Sequence, residues 1–172
     1  MAGVSAIVVA DTSVILNFLR IDRLDLLGRF PRRFLATEHV AAEITRPEQQ
    51  ARYAAAVAAG QLDTCIVTDP AEVGLFARLR QGGRLGPGEC AAIAVALLRG
   101  HALAIDDNKA VGRAVREAGL AAARLDILRT PDVMVGLIRA GVLDMAAADA
   151  IKTEWETHHR FRIKATSFQE LL

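Results

Sequence analysis

Asp11, Glu43, Glu89 and the adjacent pair Asp106 and Asp107 are the residues whose types and placement could do chemistry in this chain. Asp11 directly follows the apolar run at residues 6–10 (AIVVA), and Asp106 with Asp107 directly follows residues 102–105 (ALAI). Glu89 heads the apolar segment CAAIAVALL, and Glu43 lies in the segment ATEHVAAEI. A carboxylate drawn out of water is costly, or takes up a proton, unless something positive answers it. No lysine or arginine adjoins Asp11 or Glu89 in the sequence, so a divalent cation is the simplest counter-charge. Oxygen donors alone favour Mg²⁺ or Mn²⁺ over zinc. Each acid also has an ordinary structural reading. Asp11 before Thr12 and Ser13 could be a helix cap, Glu89 could complement a helix dipole, Glu43 could face water, and Asp106 and Asp107 could form a turn with Asn108.

The elements that must position these acids follow from periodicity. Short β-branched or apolar runs at residues 6–10, 34–36, 64–67, 102–105 and 121–125 read as strands, the first and fourth of them buried on both faces. Helical patterns alternate with them at residues 12–19, 23–28, 37–44, 49–59, 70–80, from Glu89 to Gly100, and 109–118; the remainder is mostly helical. Strands alternating with helices imply an α/β sandwich around a parallel sheet, and ligands bind such sheets at the carboxyl ends of the strands. Asp11 and Asp107 end strands there, and Glu89, as first residue of its helix, would point to the same edge.

The bulk numbers set bounds. A chain of 172 residues with 52% apolar and 24% charged residues fits one globular domain spanning 1–172. The net charge of +1 provides no global basic field, so nucleic-acid binding would need a local patch. Lys109, Arg113 and Arg116 share a helix face beside Asp107, and Arg29, Arg32 and Arg33 form a second basic cluster; a solvated face is the commoner meaning of either. Cys65 and Cys90 match no zinc or disulfide spacing and read as small buried residues. No run spans a bilayer, and the opening MAGVSAIVVADTS reads as a strand rather than a leader, which makes the cytoplasm the default compartment. His158 and His159 lie on a polar stretch and are not expected to bind metal.

Taken in order, these segments resemble the PIN-domain nucleases over nearly the whole chain. VVADTSVILNF resembles the family's opening strand with its leading acid, Asp11, and a polar Ser13; ATEHVAAEI carries the second acid at Glu43; GPGECAAIAVALLRGHALAIDDNKA resembles the third and fourth motifs, with Glu89 replacing the more frequent Asp and Asp107 as the fourth acid. The PGE context and the tail, TPDVMVGLIRAGVL followed by HHRFRIKATSFQELL, are similar to a prokaryotic subgroup that includes VapC-like toxins. The resemblance implies a three-layer α/β/α sandwich and a Mg²⁺- or Mn²⁺-dependent phosphodiesterase acting on RNA. It also implies a homodimer and, for toxins, an antitoxin partner that occupies the cleft. On this reading Asp11, Glu43, Glu89 and Asp107 hold metal, while Ser13, Asn17 and Asp106 support them. The surface around residues 133–143 and the aromatics Trp155, Phe161 and Phe168 would pack on the core or serve an interface.

Three rivals can be weighed against this reading, and the first two fail on the sequence. A HAD-like phosphatase needs a second Asp two positions after the first, where Ser13 stands. A nucleotide-binding module would need a GxGxxG or GxxxxGK[ST] loop, and the glycines before Glu89 form neither. A catalytically silent PIN scaffold would keep the fold without metal-dependent activity.

Overall fold

The computed structural model describes residues 6–172, so the part of the strand-or-leader expectation that concerns residues 1–5 lies outside the described residues. The strands are β1 (Ile7–Ala10), β2 (Arg33–Thr37), β3 (Asp63–Cys65), β4 (Ala102–Ala104) and β5 (Ile127–Leu128). They form one parallel sheet in the order β3-β2-β1-β4-β5, with β1 at its centre. Between them run α1 (Thr12–Arg20), α2 (Asp25–Gly28), α3 (Glu38–Glu43), α4 (Pro47–Ala58), α5 (Pro70–Gln81), α6 (Pro87–Arg99) and α7 (Asn108–Leu120). The chain then continues through α8 (Thr130–Arg139), α9 (Met145–His158) and a 3₁₀ turn, Phe168–Leu171. None of these helices is long and apolar enough to cross a membrane.

Both faces of the sheet are covered, which explains why its inner strands read as unbroken apolar runs. Side chains alternate along each strand. Val8, Ala10, Phe34, Ala36, Ala102 and Ala104 enter one core with α1, α4, α8 and α9, whereas Val9, Leu35, Leu103 and Ile105 enter the other with α5, α6 and α7. The result is a three-layer α/β/α sandwich. α6 is apolar all round because it is buried all round: every residue from Cys90 to Ala96 is inaccessible, Leu97 is nearly so, and its alanines let it lie close on β1, β2 and β4. Gly100 ends it at φ +66°, a left-handed geometry that suits glycine.

Four expectations need correction. The last strand is not at residues 121–125 but at Ile127–Leu128, paired with Leu103 and Ala104. Residues 121–124 are exposed, and Ala122 turns the chain at φ +51°, so an apolar composition there is a surface feature rather than a strand. The third strand is displaced to Asp63–Cys65, and Cys65 is half-buried on this edge rather than enclosed as Cys90 is. Glu89 is the third residue of its helix, not the first, because Pro87 fits the initial position where no amide donor is required.

One long-range contact closes the layer around α1. Trp155 of α9 is fully buried, edge-on to Phe18 and Phe161, and its indole Nε1 donates to the Asn17 carbonyl at 2.8 Å. That carbonyl is among the last of α1, where helical partners run out. Trp155→Ala is expected to cost about 3–5 kcal/mol, and Trp155→Phe, which keeps a ring but removes the donor, about 1–3 kcal/mol. Urea unfolding followed by far-UV circular dichroism checks both, since Trp155 is the only tryptophan.

Candidate metal centre

The carboxyl ends of β1, β2 and β4 deliver acids to one edge. Asp11 leaves β1 with its amide donating to the Ala104 carbonyl of β4 at 2.9 Å, which fixes its backbone against the neighbouring strand. It is the N-cap of α1: Oδ2 accepts from the Ser13 amide at 3.2 Å and from Ser13 Oγ at 2.6 Å. The other oxygen, Oδ1, is buried without a partner, in a residue only 2% exposed. Burial pushes the Asp11 carboxyl up, the Ser13 and Thr12 hydrogen bonds pull it down, and nearby Glu43 raises it again.

Glu43, the last residue of α3, reaches two other helix starts. Its Oε1 accepts from the Gly88 amide at 2.8 Å, and its Oε2 accepts from Thr12 Oγ1 in a short bond. Gly88 is the residue type this approach requires: a Cβ there would lie 2.5 Å from both Glu43 Oε2 and Thr12 Oγ1. Glu89 turns back on its own helix and accepts from the Gly86 amide at 2.8 Å. Its carboxyl is raised first by burial and then by Asp11, Asp107 and Glu43, against the lowering effect of the Gly86 amide. Glu89 thus senses the other three acids. Asp107 is exposed and caps α7, its Oδ1 accepting from the amides of Lys109 and Ala110, both at 2.9 Å.

Asp106 faces the opposite way. Its carboxylate accepts from Thr130 N at 2.8 Å, Thr130 Oγ1 at 2.7 Å and Asn17 Nδ2 at 3.1 Å, while its carbonyl accepts from the Arg129 guanidinium. Burial raises this carboxyl, and the Thr130 bonds oppose the shift. Asn17 also donates to Thr130 Oγ1 at 3.2 Å, so α1, the end of β4 and the start of α8 share one buried polar knot. Sequence reasoning noticed Thr12 only as a cap and missed Gly88, Arg129 and Thr130 altogether. Their partners lie tens of residues away and leave no local pattern.

The donors here are all hard oxygens, and no described lysine or arginine forms an ion pair with Asp11, Glu43, Glu89 or Asp107. An orphaned buried oxygen at Asp11 among three further acids fits a divalent cation in charge and chemistry. Among the described residues, however, no three Asp, Glu, His or Cys side chains converge tightly enough to enclose an ion as they stand. Glu43, Glu89 and Asp107 are each engaged by a backbone amide. Closing on a cation would therefore bring these side chains nearer to one another than they now stand.

The basic residues divide differently from the sequence pattern. Arg113 is tied to buried Glu117 at 2.9 Å, and Arg78 holds the other oxygen of that carboxylate at 2.9 Å. Lys109 and Arg116 are exposed, and with Arg84 and Arg113 they line a depression of about 430 Å³ that begins at Asn108, next to Asp107. Of the second cluster, Arg32 and Arg33 pair with Asp126 and Asp63 at 2.8 and 2.6 Å. Arg33 begins β2, at the sheet edge opposite the carboxylates.

A family model described as a PIN domain matches residues 7–172, from β1 to the C-terminus. No curated protein matches the chain significantly.

Because the folded state raises the Asp11 carboxyl, it favours the protonated form. The stability this contributes is present below the ordinary carboxylate range and is lost as pH rises through the raised value. Asp11→Asn is therefore expected to melt a few degrees above the wild type at neutral pH without divalent ions, the gap shrinking towards acid. Thermal melts across pH check this; an equal gap at every pH contradicts it. Saturating Mn²⁺ should reverse the order, raising the wild type by about 2–3 kcal/mol at a hundredfold excess over Kd and leaving Asp11→Asn unmoved.

Proposed function

This chain belongs to the PIN-domain family, and on that premise we propose that it is a divalent-metal-dependent endoribonuclease that hydrolyses RNA phosphodiester bonds. The observation that carries this reading is the unpartnered, buried Asp11 oxygen at the end of the central strand, within the field of Glu43 and Glu89 and beside no cation. Asp11, Glu43, Glu89 and Asp107 would hold Mg²⁺ or Mn²⁺, which when bound supplies Lewis acidity and neutralises charge on the phosphate.

The chain's own groups have definable tasks. Ser13 orients Asp11 through two hydrogen bonds, a role that supporting groups around metal ligands commonly fill. Thr12 and the Gly88 amide hold Glu43 beside the start of α6. Asn17 and Thr130 retain Asp106 on the α8 side, which leaves Asp107 to the opposite side. Lys109, Arg116 and Arg84 present charge to RNA phosphates in the depression next to Asp107, and Arg113, spent on Glu117, contributes less. In the toxin form of this reading, the enzyme is a cytoplasmic homodimer silenced by a protein antitoxin that occupies the cleft.

A second reading, a silent scaffold, draws support from the amides that already engage Glu43, Glu89 and Asp107. The two diverge experimentally. Asp11→Ala should abolish Mn²⁺-dependent cleavage of single-stranded RNA while retaining a native circular dichroism spectrum. Ser13→Ala should lower activity about 10- to 100-fold. No cleavage by the wild type with any divalent ion would favour the scaffold, whereas undiminished cleavage by Asp11→Ala would remove Asp11 from the reaction.

A further inference from the structure

A depression of about 320 Å³ lies on the α1, α4 and α9 side of the sheet, away from the groove beside Asp107. Arg20, Arg46, Arg52, Arg160, His158 and His159 line it, and Glu48 is the only acid among its walls. Three separate segments contribute: the end of α1, the start of α4 and the end of α9. Part of this charge serves the fold. Arg52 donates to the Leu19 carbonyl at 3.1 Å and pairs with Asp22 at 3.3 Å. Arg46 and Arg160 have no carboxylate partner among the described residues, and both are exposed. Arg160 sits at φ +54°, a left-handed geometry unfavourable for a residue with a side chain, at the bend that brings the chain past the end of α9. α4, twelve residues long, also begins here, and its N-cap Arg46 provides no side-chain cap for its first amides.

A short hydrogen-bond relay links one wall of the depression to the end of β4. The Arg20 guanidinium donates to Asn17 Oδ1 at 3.4 Å, and the amide of Asn17 donates to Asp106, the neighbour of Asp107. The cation-rich groove at Lys109 and Arg116 lies in the other helical layer. Cationic surface therefore stands in both helical layers. The walls carry no large apolar side chain that could anchor a peptide, whereas planar guanidinium forks match phosphate oxygens two at a time.

We propose that this depression is a second phosphate-binding site, which holds the backbone of a single-stranded RNA to one side of the bond being cut, so that the strand crosses the carboxylate edge between two cationic surfaces. It rests on the ribonuclease reading above.

Binding is measured without catalysis, by fluorescence anisotropy of a short labelled single-stranded RNA in EDTA over a series of KCl concentrations. Changing both Arg46→Ala and Arg160→Ala should weaken binding about tenfold or more and reduce the slope of log K against log salt by about 1.4, two single-strand phosphate contacts. The charge-preserving pair Arg46→Lys and Arg160→Lys should retain the slope. Unchanged affinity and slope in the alanine pair overturns the proposal. So does loss of the slope in the lysine pair, or a short poly-glutamate peptide binding through these arginines when RNA does not. Hydrolysis of bis(p-nitrophenyl) phosphate by the wild type with Mn²⁺ reports on the carboxylate centre alone. Its absence, with arginine-dependent RNA binding intact, would sink the nuclease reading and leave the RNA site standing.

Discussion

Like charges crowd at one edge of a parallel sheet, and the surrounding structure is organised to tolerate that crowding. Burial first, and then the neighbouring acids, raise Asp11 and Glu89, and among the described residues no arginine or lysine pairs with Asp11, Glu43, Glu89 or Asp107. The fold restrains them with dipoles and hydrogen bonds instead of counter-ions. Ser13 holds Asp11, the start of α6 and Thr12 hold Glu43, and the start of α7 holds Asp107. Partial charges at helix starts soften repulsion without neutralising it.

The same edge separates two acids that adjoin in sequence. Successive residues at a strand end face opposite layers, so Asp106 enters the knot with Asn17 and Thr130 while Asp107 caps α7. The knot ties the central strands to α8, and the clamp of Arg78 and Arg113 on buried Glu117 ties α5 to α7. Both layers are thereby fastened. Buried pairs of this kind contribute little net stability, but breaking one strands a charge, which makes them effective at fixing a single arrangement.

Much of this was readable from residue order. β1 followed by Asp11, the all-apolar α6 closed by Gly100, and the alternation of strands with helices all follow from local periodicity and turn chemistry. What was hidden depends on partners far apart. Thr12 meets Glu43 across 31 residues, Gly88 meets Glu43 across 45, and Thr130 meets Asp106 across 24, so no window of sequence contains both members. The Arg113 stripe looked free because the pattern of one helix does not reveal that Arg78 on another helix helps bury Glu117. β5 was misplaced because alanines can cover a surface turn as readily as they fill a strand, and only its pairing with β4 distinguishes them.

The indole of Trp155 against the Asn17 carbonyl joins two points 138 residues apart. The helix that Asp11 caps is thus completed by a residue made long after it. While the chain is still emerging from the ribosome, that carbonyl faces water and α1 lacks its aromatic cover. Consolidation of that helix is in this way deferred until Trp155 has been synthesised.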